Sequence, residues 1–143
     1  MPDVNVLIYA HRSDERQHAA ARTFLETETS TAKTLLLAAP VALGFVRIVT
    51  NPRVFALPTP LPVALATIDA LLARPNCRLV GAGTRTWELT RALCARADAR
   101  GKLVADAHLA AFAIEQGCVF VSYDRDFARF EAHGLRWALP APP

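Results

Sequence analysis

Apolar positions along the chain alternate between short dense runs and stretches with helical spacing. The opening Asp3-Val-Asn-Val-Leu-Ile-Tyr-Ala reads on composition as a buried strand, although periodicity alone does not separate that from a short buried helix. His18 to Glu28 carries Ala21, Phe24 and Leu25 at helical spacing, with Ser13 and Asp14 as candidate caps. Thr34 to Ala38 suits a strand buried on both faces. Helices are predicted over Val41 to Thr50 and Leu61 to Ala73, each with a proline near its start. A strand follows at Cys77 to Val80, then an amphipathic helix over Thr84 to Ala97. Gly101 breaks the chain before a helix over Val104 to Gln116, which Gly117 ends. Cys118 to Ser122 is a strand, the polar turn Tyr123-Asp124-Arg125-Asp126 leads to a helical turn through Phe127 and Phe130, and Leu135 to Leu139 closes as a strand. Only the prolines at 140, 142 and 143 break the pattern, as a Pro-rich tail. Alternating strands and helices predict one α/β domain over residues 1–143, with a mainly parallel central sheet flanked by helices.

Composition narrows the class. The 143 residues are 52% hydrophobic and 20% charged, which excludes a disordered chain. The longest apolar stretch, Leu35 to Val46, is interrupted by Pro40 and falls short of the ~20 residues a membrane span needs. A soluble, cytoplasmic protein without an export signal is therefore expected. Cys77, Cys94 and Cys118 are widely spaced and form no C-x-x-C, which points to a reducing compartment and away from structural zinc. Sixteen bases against thirteen acids give a net charge of +3. Fourteen of those bases are Arg, a preference that suits phosphate but that genomic base composition explains as well, given 27 alanines.

The placement of the acids changes the picture. In parallel α/β sheets, ligands bind beyond the carboxyl ends of the strands. Asp3 leaves an apolar stretch at the start of the chain, Asp106 sits in a nearly apolar helix, and Asp124 and Asp126 directly follow the Val119-to-Ser122 strand. A buried carboxylate needs a hydrogen-bonding, ionic or metal partner. Each acid also has an ordinary explanation: Asp3 as a helix cap, Asp106 as the partner of an arginine, Asp124 as the cap of the turn before Phe127. Their convergence on one end of one sheet is harder to explain that way. Carboxylates without His or Cys ligands suit Mg2+ or Mn2+, and such ions promote in-line attack on phosphodiesters. Asn5 and Ser122 could orient the carboxylates or a bound water. His108, two positions past Asp106, is expected on a different helix face as a packed or hydrogen-bonded residue. No Walker loop, dinucleotide glycine pattern or nucleophile elbow occurs.

Four segments carry a family resemblance: Asp3-Val-Asn-Val-Leu-Ile-Tyr-Ala, Phe45-Val-Arg-Ile-Val-Thr-Asn-Pro-Arg-Val-Phe, Val104-Ala-Asp-Ala-His-Leu-Ala-Ala-Phe-Ala and Val121-Ser-Tyr-Asp-Arg-Asp-Phe. Together, and in this order, they resemble PIN-domain proteins, more narrowly the VapC toxins of VapBC toxin–antitoxin pairs. The resemblance implies a Rossmann-like fold and a Mg2+- or Mn2+-dependent endoribonuclease. It also implies that the first strand ends at Asp3 and that the next residues turn into a short helix. Family roles fall on Asp3 and Asp106 as principal metal ligands, with Asp124 and Asp126 completing the acidic pocket. A homodimer, an antitoxin covering the acidic groove and an RNA substrate, with tRNA and rRNA as candidates, are implied too. The helices at Ala42 to Val49 and Leu61 to Leu72 are candidate surfaces for such contacts, and core packing explains them equally well. Where the family usually carries a further acid, this chain has Gly44.

Three readings follow. The first is a metal-dependent ribonuclease toxin using Asp3, Asp106, Asp124 and Asp126. The second is a PIN-fold module that binds RNA or protein, its catalysis weakened at Gly44. The third is a phosphatase-like hydrolase with an aspartyl-phosphate at Asp3; it ranks last, because Asn5 stands where a second acid is needed. Arg47 is expected to pair with the pocket carboxylates, while Arg53, Arg125 and Arg129 could contact RNA phosphates or pair with the carboxylates. If four acids share one pocket, nine face sixteen bases elsewhere, an outer charge of +7 suited to RNA.

Overall fold

The computed structural model describes residues 1–140, so Pro142 and Pro143 of the expected tail lie outside it. In chain order the elements are α1 (Val4–His11), α2 (His18–Ser30), β1 (Leu35–Ala38), α3 (Ala39–Val49), α4 (Leu61–Leu72), β2 (Cys77–Val80), α5 (Thr84–Arg96), α6 (Lys102–Glu115), β3 (Val119–Val121), a 3-10 helix (Arg125–His133) and β4 (Arg136–Ala138). All strand pairing is parallel. Hydrogen bonds divide the strands into two ladders rather than one continuous sheet: β1 with β2, and β3 with β4. The extended residues Met1 to Asp3 run along the free edge of β3, where the Asp3 amide donates to the Val121 carbonyl at 2.8 Å.

The strand expected over residues 3–10 is a helix, and only Met1 to Asp3 stay extended. The reason is local. Asp3 has extended backbone and its carboxylate accepts from the Val4 amide at 2.6 Å, which caps the first turn of α1. Val6, Leu7 and Ile8 are all buried, so α1 is enclosed on several sides and shows no amphipathic signature. The turn that follows Asp3 matches the turn that the PIN resemblance implied.

Ser13 and Asp14 do not cap α2. Gln17 occupies the cap position, and Asp14 is held by the Arg12 guanidinium at 2.6 Å. α6 starts two residues before the expected Val104, directly after Gly101, whose φ of 55° places it in the left-handed region that glycine tolerates. That early start brings Lys102 onto the first turn of the helix. The alanines 107, 110, 111 and 113 of α6 are buried. Small side chains let α6 approach its neighbours closely, while the fully buried Phe45, Phe112, Phe120, Phe127 and Phe130 fill the space around it. Each such phenylalanine contributes about 1.5–3 kcal/mol by leaving water. α3 and α4 bury Val41, Phe45, Val49, Ala64 and Ile68, yet leave Leu43, Leu61, Val63 and Leu65 exposed. No helix is long and apolar enough to cross a membrane among the described residues.

Candidate active site

Asp3, Asp106 and Asp124 line one cleft of about 370 Å3, together with Asn5, Gly44, Arg47, Lys102 and His108. The start of α1 supplies Asp3, the second turn of α6 supplies Asp106, and the residues after β3 supply Asp124. Three segments far apart in sequence thus meet beyond one end of β3.

Asp3 is 4% exposed and its carboxylate is fully engaged. Oδ1 accepts from the Val4 amide; Oδ2 accepts from Ser122 Oγ at 2.6 Å and from Asn5 Nδ2 at 2.7 Å. Ser122 Oγ in turn accepts from Asn5 Nδ2 and from the Asp124 amide, each at 3.0 Å. One hydroxyl therefore ties β3 to both acids, and Asn5 and Ser122 both hydrogen-bond the Asp3 carboxylate. Burial pushes the Asp3 carboxyl above its ordinary range against the pull of Ser122 and Val4, and the charges of Asp106 and Asp124 push it further. Burial likewise raises Asp106, with Lys102 opposing and Asp124 and Asp126 adding to the rise. Asp124 moves the other way, because the Lys102 ammonium donates to it.

Asp126 stands apart. Its side chain is 64% exposed, lies outside the cleft lining and sits 3.8 Å from the Arg129 guanidinium. Its amide donates to Asp124 Oδ1 at 2.9 Å, so Asp124 caps the 3-10 helix while facing the cleft with its other oxygen. Capping and pocket placement, opposed as explanations in the sequence, coexist for both Asp3 and Asp124.

Two cations differ from expectation. Arg47 lines the cleft but forms no ion pair among the described residues. Lys102 takes that place: Nζ is 2.6 Å from Asp124 Oδ2 and 3.8 Å from Asp106 Oδ2. Sequence reasoning passed over Lys102, although its position four residues before Asp106 on one helix was the available signal. Arg129 donates through Nε to the Asp126 carbonyl rather than reaching into the cleft. His108 shares the cleft with Asp106, which corrects the expected separation of faces. It is hydrogen-bonded as expected: Nδ1 lies 2.9 Å from Thr90 Oγ1, and its ring meets Phe112 edge-on. Burial lowers the pKa of its imidazole.

These donors fit a hard divalent cation. Carboxylate oxygens from Asp3, Asp106 and Asp124 face one space, and an ammonium already bridges two of them as a stand-in charge. Among the described residues no three His, Cys, Asp or Glu side chains are grouped so that all three could hold one metal ion as they stand. Mg2+ needs no such group, since it binds through one or two carboxylates and keeps several waters.

Comparison with known proteins defines the class first: the PIN domain family matches residues 1–132, and the chain belongs to that family. Within it the chain belongs with the VapC ribonucleases. It is 47% identical over 138 residues, 96% of this chain and 92% of the relative, to VapC ribonuclease Mb2897 of Mycobacterium bovis and equally to ribonuclease VapC43 of Mycobacterium tuberculosis. Ribonuclease VapC25 of Mycobacterium tuberculosis is 41% identical over 128 residues, 90% of each chain. The fold is shared with solved structures at low identity. The Sarcin-Ricin loop cleaving toxin VapC20 of Mycobacterium tuberculosis superposes with a TM-score of 0.71 at 17% identity, covering 99% of this chain and 98% of that one. VapBC2 from Rickettsia felis, solved with a promoter DNA fragment, gives 0.69 at 14% identity over 97% and 96%.

Proposed function

We propose that the chain is the toxin of a toxin–antitoxin pair and cuts RNA phosphodiester bonds with Mg2+ or Mn2+ held by Asp3, Asp106 and Asp124. The observation that carries this reading is the meeting of these three carboxylates in one cleft of a VapC-type PIN fold. When bound, the cation supplies Lewis-acid stabilisation of phosphate charge and makes water a better nucleophile for in-line attack. The chain's own residues do the rest. Ser122, Asn5 and the Val4 amide lock Asp3 in one orientation, so little reorganisation is needed during reaction. Asp106 faces it from α6. Arg47, on the same cleft and without a carboxylate partner among the described residues, is placed to meet a phosphate of the substrate. Asp126 lies outside the cleft lining and supports Asp124 through its amide, which donates to Oδ1.

The testing experiment is cleavage of RNA, tRNA and rRNA included, with added Mg2+ or Mn2+, against EDTA and Asp106→Asn controls. Metal-dependent cutting that Asp106→Asn abolishes is the expected result; undiminished cutting by that variant removes Asp106 from the site. The binding-module reading retains one supporting observation, Gly44 on the cleft wall where the family usually has an acid. A calorimetric Mn2+ titration separates the two, with no binding at millimolar metal favouring the module.

VapB and VapC occur together in the relatives solved as VapBC complexes, and we extend a VapB-type antitoxin and a homodimer to this chain. The exposed Leu43, Leu61, Val63 and Leu65 supply apolar surface for such contacts. A neighbouring gene for a small DNA-binding protein, co-purifying with this chain, is the expected finding. A cytoplasmic location follows from an RNA substrate and the three free thiols.

A further inference from the structure

We propose that Lys102 and the divalent cation are mutually exclusive occupants of the acidic cleft, so that Lys102 sets the affinity of the site for metal. This inference rests on the metal-dependent reading given above. Three observations lead to it. The Lys102 ammonium lies 2.6 Å from Asp124 Oδ2 and 3.8 Å from Asp106 Oδ2, so it already occupies the space between two of the three carboxylates. The other oxygen of Asp124 is committed to the Asp126 amide, so Oδ2, the atom Lys102 holds, is the one left to face a cation. Asp3 has both oxygens engaged by the protein, which leaves it little freedom to compensate.

Charge balance points the same way. Three carboxylates and two cations, Arg47 and Lys102, line the cleft, a net of minus one. A divalent ion added beside Lys102 would turn that into an excess of one positive charge. With the ammonium withdrawn the lining balances. Withdrawal is structurally easy, because the Lys102 side chain is 71% exposed on the first turn of α6 and carries its charge on a flexible stem. In the metal-free protein Lys102 relieves the repulsion among Asp3, Asp106 and Asp124; on metal entry it swings to solvent and leaves Asp124 Oδ2 to the ion.

The composition of the chain makes this measurable, since Lys33 and Lys102 are its only lysines. The full-length protein is treated with an amine-acetylating reagent at fixed pH, with and without Mn2+, and each lysine is quantified by peptide mass spectrometry. Lys33 serves as the internal reference. Calorimetry on the same samples, for the wild type and Lys102→Met, reports bound metal independently of activity. The expected result is a several-fold rise in Lys102 acetylation on Mn2+ binding, with Lys33 unchanged, and Mn2+ bound about fivefold more tightly by Lys102→Met, as loss of one competing ion pair implies. Metal bound by the wild type with Lys102 acetylation unchanged overturns the exclusion and leaves the metal-dependent reading intact. Metal bound by Lys102→Met alone supports exclusion in its strongest form. Metal bound by neither protein overturns both.

Discussion

A second cleft, of about 430 Å3, is larger than the acidic one and is lined by α1, α2, α3 and α4. It too holds ionisable groups, His11, His18, Arg22, Glu26 and Arg74 among them. There, however, both histidines and the Arg22–Glu26 pair have settled partners. His18 Nδ1 lies 2.9 Å from the Tyr9 carbonyl, His11 Nε2 lies 3.1 Å from Thr59 Oγ1, and Arg22 pairs with Glu26 at 2.8 Å. In the acidic cleft, three carboxylates repel one another and burial raises two of them. α1 and α3 serve both clefts from different positions: Phe45 reaches the larger, Gly44 and Arg47 the acidic one. Size therefore does not distinguish the two clefts chemically. Three carboxylates gathered in one space, with Lys102 paired to two of them, do.

The sharpest way to break this comparison is to change one group in each cleft. Asp106→Asn is expected to lower RNA cleavage at least about a hundredfold, in the range seen when a transition-state charge contact is removed. His18→Gln in the larger cleft is expected to leave cleavage unchanged under identical metal. Equal losses from both would show that the clefts act as one site.

Ser122→Ala comes next. It removes the hydroxyl that donates to Asp3 and accepts from Asn5 and the Asp124 amide. A loss of about ten- to a hundredfold in cleavage or metal affinity is expected, as for other residues that orient metal-binding groups. The buried groups left without partners should also lower stability by about 1–3 kcal/mol, read from urea unfolding.

Gly44→Asp sharpens the comparison from the other side by adding an acid. A Cβ there would meet Val4 Cγ2 at 3.4 Å, an ordinary contact, so the backbone need not move. Mn2+ affinity is expected to rise on the order of tenfold, because carboxylate count tunes the affinity of hard-cation sites.

The smallest effect is on stability and depends on pH. Asp106 has its carboxyl raised by burial and by the charges of Asp124 and Asp126. Near its folded pKa the native state binds more protons than the unfolded chain, so this acid reduces stability as pH rises through that value. Metal-free Asp106→Asn should therefore melt a few degrees higher than wild type at neutral pH. The advantage should vanish below the ordinary carboxyl value of 3.8, where both states are protonated. Asp124 has the opposite sign: Lys102 lowers its carboxyl, and the stability that pairing contributes is lost as pH falls through the folded value.

Element positions were largely readable because apolar spacing and glycine or proline breaks act locally. Cys77–Val80 occurs as predicted, and α3 to α6 begin and end within two residues of expectation. The first segment was misread on composition alone, because α1 is buried on several sides and lacks a polar stripe to reveal its period. Family resemblance supplied the turn after Asp3. The choice between Asp124 and Asp126 stayed open in the sequence, since both follow the same strand. Side-chain direction separates them: Asp124 lines the cleft, while Asp126 is exposed outside its lining.

The sequence by itself determined the alternation of elements, the family and the acids worth examining, because hydrophobic period, chain breaks and motif order are properties of neighbouring residues. Tertiary structure decided which of those acids share a cleft and which cation answers them. Lys102 replaces the expected Arg47 because a left-handed glycine at 101 starts α6 early and sets an ammonium opposite Asp124, 22 residues away. Repulsion among carboxylates depends on distance through space, and only the folded chain sets that distance.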